Sequence, residues 1–272
     1  MLIVTQVNEE ILIKAVSDGV LRLTLNDSQR RNALSVDMLS QLMDAFASAA
    51  DDASIRVIVI AAIGPAFCSG HDLKEMTESR NDDDGGEAFF EQLFETCASL
   101  MQSIVRHPKP VIAEVRGVAT AAGCQLVASC DLALAAETAQ FATPGVNIGL
   151  FCSTPMVALS RNVSLKHSME MLLLGEMLHA DMAERIGLIN RVVPQSDLSD
   201  ATSSFAQMIA AKSPKTVAIG KRAFYEQAEM SLSDAYVHTA KVMARNMLND
   251  DAIEGIEAFL QKRSPSWQNN QS

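Results

Sequence analysis

The sequence predicts an α/β protein built from a recurring strand, strand, helix unit and followed by a helical C-terminal region. Three observations carry this expectation. Two β-rich runs, 11–16 and 20–26, flank Asp18-Gly19, a pair that tolerates the positive φ a tight hairpin turn needs. The run 36–50 repeats apolar residues at helical spacing, and the nearly continuous apolar run 55–60 after it has the character of a strand buried on both faces. Beyond Val193-Pro194, strand signals give way to helices.

Each element follows in order. After the hairpin, helix and buried strand comes Ala66-Phe67-Cys68-Ser69-Gly70-His71-Asp72-Leu73-Lys74-Glu75-Met76, a small-residue turn that leads into a helix. The segment 79–87 combines like charges with paired glycines and reads as a mobile loop, either a solvated surface loop or a lid. A strand at 111–115 precedes a second small-residue turn, Gly117-Val118-Ala119-Thr120-Ala121-Ala122-Gly123-Cys124-Gln125-Leu126, which opens a helix over 122–129, and a strand follows at 132–135. In the tail, Ser231-x-x-Asp234 is a capping-box start, with Ala235, Tyr236, Thr239, Val242 and Met243 on one face of the helix it opens. The stretch 252–260 is a further amphipathic helix, and the apolar sides of such a tail need a partner. The division that results is a core over 1–198 and a helical region over 199–272.

Composition narrows the function. A chain of 272 residues that is 48% hydrophobic can bury a large core. Five cysteines without a paired C-x-x-C pattern argue against a disulfide framework or a zinc site. The first ten residues lack the basic start and long apolar core of a secretory signal and the Arg-rich pattern of an organellar one, so the expectation is a cytoplasmic protein. The small-residue run 111–136 is interrupted by Glu114, Arg116, Gln125 and Asp131, which speaks against a membrane span. A net charge of −11 opposes nucleic-acid and anionic-membrane binding.

The chemistry centres on the two small-residue turns. Turns of this kind entering helices can aim two backbone N–H groups at one point, which is what holding a thioester oxygen as it becomes an enolate requires. Gly70 and Gly123 are otherwise ordinary turn glycines. With their flanks, the turns resemble the crotonase superfamily, the enoyl-CoA hydratase/isomerase group. The resemblance begins at Gln29-Arg30-Arg31-Asn32-Ala33-Leu34, runs through both turns and Cys130-Asp131-Leu132-Ala133-Leu134-Ala135, and reaches Ala258-Phe259-Leu260-Gln261-Lys262-Arg263-Ser264-Pro265.

That resemblance implies a crotonase (ClpP-like) spiral of stacked ββα units with a C-terminal helical trimerisation region, assembling as a homotrimer or a dimer of trimers. It implies an acyl-CoA thioester as substrate and no separate cofactor or metal. It also assigns the oxyanion amides to His71 and Ala122, and coenzyme A contacts to Arg31, Ala33, Leu34, Cys68, Gly70, Asp72, Leu73, Lys74, Gly123 and Lys262. Coenzyme A is a polyanion, so on an acidic chain these basic residues must form a local patch.

The sequence departs from the family where acid–base chemistry is expected. Hydration of an enoyl thioester needs a water oriented and deprotonated and a proton delivered to the α-carbon, and two carboxylates do this well. At the positions where related hydratases carry their glutamates, this chain has Gln125 and Gly145. Glutamine can position water but cannot relay a proton at neutral pH. Asn147, Cys152 and Ser153 lie on the same segment as Gly145, as a polar positioner, a thiol and the place where some isomerases have aspartate. The readings left open are a hydratase-type lyase with substitute groups, a malonyl-type acyl-CoA decarboxylase, and an acyl-CoA-binding protein without turnover.

Overall fold

The computed structural model describes residues 10–267. β1 (Leu12–Ser17) and β2 (Val20–Leu25) pair antiparallel around Asp18 and Gly19, both at positive φ (50° and 78°), as a two-residue hairpin turn requires. α1 (Val36–Asp51) starts at Ser35, whose hydroxyl accepts from Met38 N at 3.1 Å, and turns Met38, Leu39, Leu42, Phe46 and Ala49 into the core. Three pairs of strands follow: β3 (Val57–Ala62) with β4 (Ala66–Cys68), then, after α2 (Leu73–Glu78) and α3 (Glu87–Arg106), β5 (Val111–Val115) with β6 (Val118–Thr120), then, after α4 (Ala122–Ser129), β7 (Leu132–Ala136) with β8 (Gln140–Ala142). The chain continues through α5 (Pro155–Asn162), α6 (Leu165–Leu174), β9 (Leu178–His179), α7 (Ala180–Arg185), β10 (Arg191–Val193) and α8 (Leu198–Ala210) to the tail helices α9 (Pro214–Ala228), α10 (Leu232–Asn246) and α11 (Asp250–Leu260).

Each repeat gives one strand to each of two sheets. The larger runs β1-β2-β3-β5-β7-β10 and the smaller β4-β6-β8-β9, with β3, β5 and β7 parallel in one and β4, β6 and β8 parallel in the other. Along β3 the side chains alternate between two cores. Ile58 and Ile60 join the main core with Leu23, Leu42 and Ala113, while Val57 and Val59 face Leu198, Ala206 and Ala210 of α8. This burial on both faces is what the apolar run predicted, and each such side chain contributes roughly 1.5–3 kcal/mol. The strand opens two residues later than the sequence pattern suggests because Arg56 N and Val57 N both donate to Gly19 O, at 2.7 and 3.2 Å, in closing the preceding turn.

Segment 79–87 is not the open loop its composition suggests. Ser79–Asn81 forms a 3₁₀ turn, and the Asp84 carboxylate accepts from Gly86 N at 2.9 Å and Ala88 N at 3.0 Å, capping the start of α3. The clustered aspartates thus serve a helix N-terminus, where negative charge is favoured. The tail is locked to the core by Lys221 of α9, a buried ammonium that donates to Ile104 O, Lys109 O and Asp131 Oδ2 at 3.0, 3.0 and 2.7 Å, while Tyr225 OH donates to Asp131 Oδ1 at 3.0 Å. The Ser231 hydroxyl caps α10 as its sequence signature predicts, accepting from Asp234 N at 3.3 Å. Phe224, Tyr236, Met243, Phe259 and Leu260 on these tail helices remain exposed. Among the described residues no helix is long and apolar enough to cross a membrane.

Candidate active site

β4, β6 and β8 run parallel and end side by side, so the segments that leave them meet at one edge: Ser69-Gly70-His71, Ala121-Ala122 and Thr143-Pro144-Gly145. Ligand sites form at such carboxyl ends of parallel strands because turns and helix N-termini converge there. Gly70, at φ 96°, presses on the second turn so closely that a Cβ would lie 2.9 Å from Ala121 Cβ and 3.3 Å from Ala122 N. Only glycine brings the two turns this near.

Peptide planarity then sets where the two amides point. Gly70 O accepts from Leu34 N at 2.7 Å, and in a trans peptide the His71 N–H must point the opposite way, off that ladder. Ala121 N donates to Ala142 O and Ala121 O accepts from Gln125 N, so the Ala122 N–H, first in α4, points out of the helix end. Reaching this geometry holds Ala121 at φ 50° and ψ −119°, a region that costs a non-glycine residue about 1–3 kcal/mol. Strain placed between the two donors is consistent with pre-organisation.

Gly123 has a different reason to be glycine. A Cβ there would fall 2.1 Å from Cys68 O, so its role is to let α4 sit on the end of β4. Sequence reasoning passed over Asn32, which is fully buried at φ 53°. Its Oδ1 accepts from Asp27 N at 2.8 Å and its Nδ2 donates to Ile63 O and Ala66 O at 2.9 and 2.8 Å, fixing the loop that delivers Leu34 to Gly70. The available signal was a lone asparagine inside a charged, apolar-flanked turn, since Asn accepts left-handed backbone more readily than most residues.

The side chains around the amides are polar but uncharged. His71 packs edge-on against Phe94, ring centroids 5.3 Å apart, with neither ring nitrogen hydrogen-bonded, and burial pushes its pKa below the usual 6.5. Gln125 and Thr143 are buried, and Gln125 Oε1 and Thr143 Oγ1 have no partner. At Gly145 a Cβ would meet Leu150 O at 2.8 Å and Cys152 Sγ at 2.9 Å, so the backbone here has no room for a glutamate. Burial raises the Cys152 thiol and holds Cys68 and Cys124 at about 12, which keeps all three protonated and poor as nucleophiles.

Several expected contributors are elsewhere or already engaged. Asn147 is exposed and its Nδ2 donates to Gly175 O at 3.3 Å, tying its turn to the end of α6, so it is not a free positioner. Ser153 is exposed, with Oγ turned to Phe151 O at 3.3 Å. Asp72 caps α2, accepting from Lys74 N at 2.9 Å, and also receives Arg30. Ala33, Leu34 and Cys68 are core residues beneath the turns, whereas Arg31, Leu73 and Lys74 are exposed at the rim, Arg31 and Lys74 supplying its positive charge. Lys262 follows α11, which packs on α9.

The model of the enoyl-CoA hydratase/isomerase family matches residues 15–270. The chain belongs to that family. The enoyl-CoA hydratase domain-containing protein 3 of Rattus norvegicus, described as mitochondrial, is 48% identical over 92% of this chain and 82% of its own length. Among solved structures, an enoyl-CoA hydratase from Mycobacterium smegmatis superposes with a TM-score of 0.91 at 50% identity, covering 95% of this chain and 99% of that one. Human enoyl coenzyme A hydratase domain-containing protein 3 follows at 0.90 and 46%, covering 94% and 100%. The α/β crotonase spiral expected from the sequence is therefore the fold. The cytoplasmic expectation is overturned by these comparisons: the similar rat, mouse, human and Xenopus proteins are all named as mitochondrial.

Proposed function

We propose that this chain binds an acyl-CoA thioester and stabilises its enolate between the backbone amides of His71 and Ala122. The observation that carries the reading is the approach of Gly70 to Ala121 and Ala122, which sets two outward N–H groups on neighbouring turns. Arg31 and Lys74 at the rim would meet the anionic portion of coenzyme A. The exposed apolar faces of α9, α10 and α11 support assembly into a trimer.

Hydration by a carboxylate pair is not supported, since Gln125 is neutral and position 145 is filled by Cys152 and a carbonyl. The same observation favours a second reading, decarboxylation of a malonyl-type thioester. There the bond between the α-carbon and the carboxylate breaks, its electron pair passes into the enolate whose oxygen the two amides hold, and carbon dioxide leaves. Water then returns a proton to the α-carbon, so no carboxylate base is required. The test is to follow ultraviolet loss of the conjugated enoyl group of crotonyl-CoA beside carbon dioxide release from malonyl-CoA, with products identified by mass. Rapid hydration would overturn the reading of the interior. Thermal stabilisation by both thioesters with turnover of neither would leave a binding protein, and absence of any binding would overturn the site itself.

A further inference from the structure

Behind the two turns lies a buried ionic cluster that the proposed chemistry does not use. Asp131 follows the end of α4, and its carboxylate collects donors from two other parts of the chain. Oδ2 accepts from Val111 N, at the start of β5, and from Lys221 Nζ, both at 2.7 Å, and Oδ1 accepts from Tyr225 OH at 3.0 Å. Lys221, its side chain only 6% exposed, directs its other ammonium protons to Ile104 O and Lys109 O, both at 3.0 Å. Both members of the pair are fully hydrogen-bonded, the condition under which a buried ion pair is tolerated.

The partners place this cluster at a junction. Ile104 lies in the last turn of α3, where carbonyls run out of helical partners and attract a cation. Earlier on the same helix Phe94 meets the His71 ring edge-on. Asp131 stands just past the C-terminal end of α4, and the opposite end of α4 is Ala122. α3 packs on α4, and α9 packs on α3. The tail therefore grips the far ends of two helices, one of which begins with a proposed oxyanion amide while the other braces the residue that carries the second. Every residue of α4 is buried. A close-packed rod of this kind, roughly 10 Å long, passes a shift at its C-terminal end on to Ala122 rather than absorbing it.

We infer that Lys221 and Asp131 are positioning residues of the enolate site, a clamp by which the helical tail fixes α3 against α4 and so the angle at which the amides of His71 and Ala122 meet the thioester oxygen. The inference rests on the enolate site proposed above, and the experiment separates the two. The whole protein is saturated with butyryl-CoA isotope-labelled at its carbonyl carbon, a thioester that neither hydration nor decarboxylation consumes, and the C=O stretch is read by difference infrared spectroscopy. Hydrogen bonds to the oxygen weaken the C=O bond, so binding to the wild type should lower this frequency. Lys221→Met keeps the length and apolar packing of the side chain and removes the ammonium. It should lose about half or more of that lowering, and kcat for whichever thioester turns over should fall about tenfold with KM within about twofold, the pattern of a misplaced transition-state contact. The double variant Lys221→Met with Asp131→Asn leaves no buried carboxylate without its ammonium, so it should regain thermal stability over the single variant while the carbonyl stretch stays displaced. Where Lys221→Met fails to fold, Tyr225→Phe, which removes only one donor from Asp131, should show a smaller loss in the same direction. A stretch that returns together with stability in the double variant would reduce the cluster to packing and overturn the inference. So would a wild-type stretch in every variant, which would leave the enolate site standing. No binding, or no lowering in the wild type, would overturn the site and the clamp together.

Discussion

The two halves of the candidate site are built on different principles. The turn pair around Gly70 and Ala122 supplies main-chain N–H groups, and its residues answer to backbone demands: a positive φ at Gly70, strain at Ala121, no space for a Cβ at Gly123. The segment from Thr143 to Ser153 is where the sequence resemblance leads one to expect side-chain chemistry, and here it offers a buried hydroxyl at Thr143, a packed thiol at Cys152 and, at Gly145, no space for a Cβ without a shift of its neighbours. On the proposed reading the donor at position 71 is main chain, and a backbone donor survives a change of side chain to histidine. Acid–base groups do not, because the function is the side chain itself. Under the proposed function this chain keeps enolate stabilisation without a carboxylate relay.

The sharpest way to break this comparison is Ala122→Pro, which deletes one donor at the first residue of α4, a position where proline is tolerated in a helix. Turnover of whichever thioester proves to be a substrate should fall about 10²–10³-fold, the usual loss for one oxyanion donor, with the folded state retained by circular dichroism. Unchanged turnover in a folded variant would remove Ala122 from the site.

Gly145→Glu approaches the other half from the opposite side by introducing the carboxylate that the sequence resemblance leads one to expect there. It should not produce hydratase activity on crotonyl-CoA and should cost about 1–3 kcal/mol in urea denaturation, since the new Cβ meets Leu150 O and Cys152 Sγ. Adding Cys152→Ala removes one of the two obstacles and should recover part of that loss. Gln125→Glu has a smaller structural cost in volume but places a carboxylate in a buried position, so the introduced group should titrate above the ordinary glutamate range, visible by difference infrared spectroscopy. A normal pKa there would mean that water reaches the interior.

Much of the fold was legible because local and global demands agreed. Asp18-Gly19 could form the hairpin turn, Ser231 and Asp234 could cap a helix, and a doubly apolar run fitted a strand covered on both faces, and all three are found so. The charged segment 79–87 misled because composition reports solvation, not the hydrogen bonds by which Asp84 caps α3. In the site, the two turns were readable from small residues at helix starts. The strain at Ala121, the bracing by Asn32 and the blocked position 145 were not, because each depends on chain segments brought together only by the fold. Asn147 was singled out by its place on the segment of Gly145 and Ser153 by its match to a position where some isomerases have aspartate, and both are exposed.

The mildest test concerns the His71 side chain. If only its amide serves, His71→Ala should leave turnover within a few-fold of the wild type while changing the pH dependence of stability. Burial holds the folded-state pKa of His71 below 6.5, and His107, buried with Nδ1 accepting from Lys109 N at 3.1 Å, is shifted in the same direction. Between 6.5 and the lower folded values the unfolded chain therefore binds more protons, so stability falls as pH falls through this window and neither histidine contributes a slope above it. Glu254, held at about 2 by Arg263, adds its own loss only below the ordinary glutamate value of 4.5. Urea midpoints taken from pH 7.5 down to about 5 consequently isolate the histidines. The variant should show a shallower decline than the wild type, and an identical decline would mean that His71 is already open to water and protons in the folded protein.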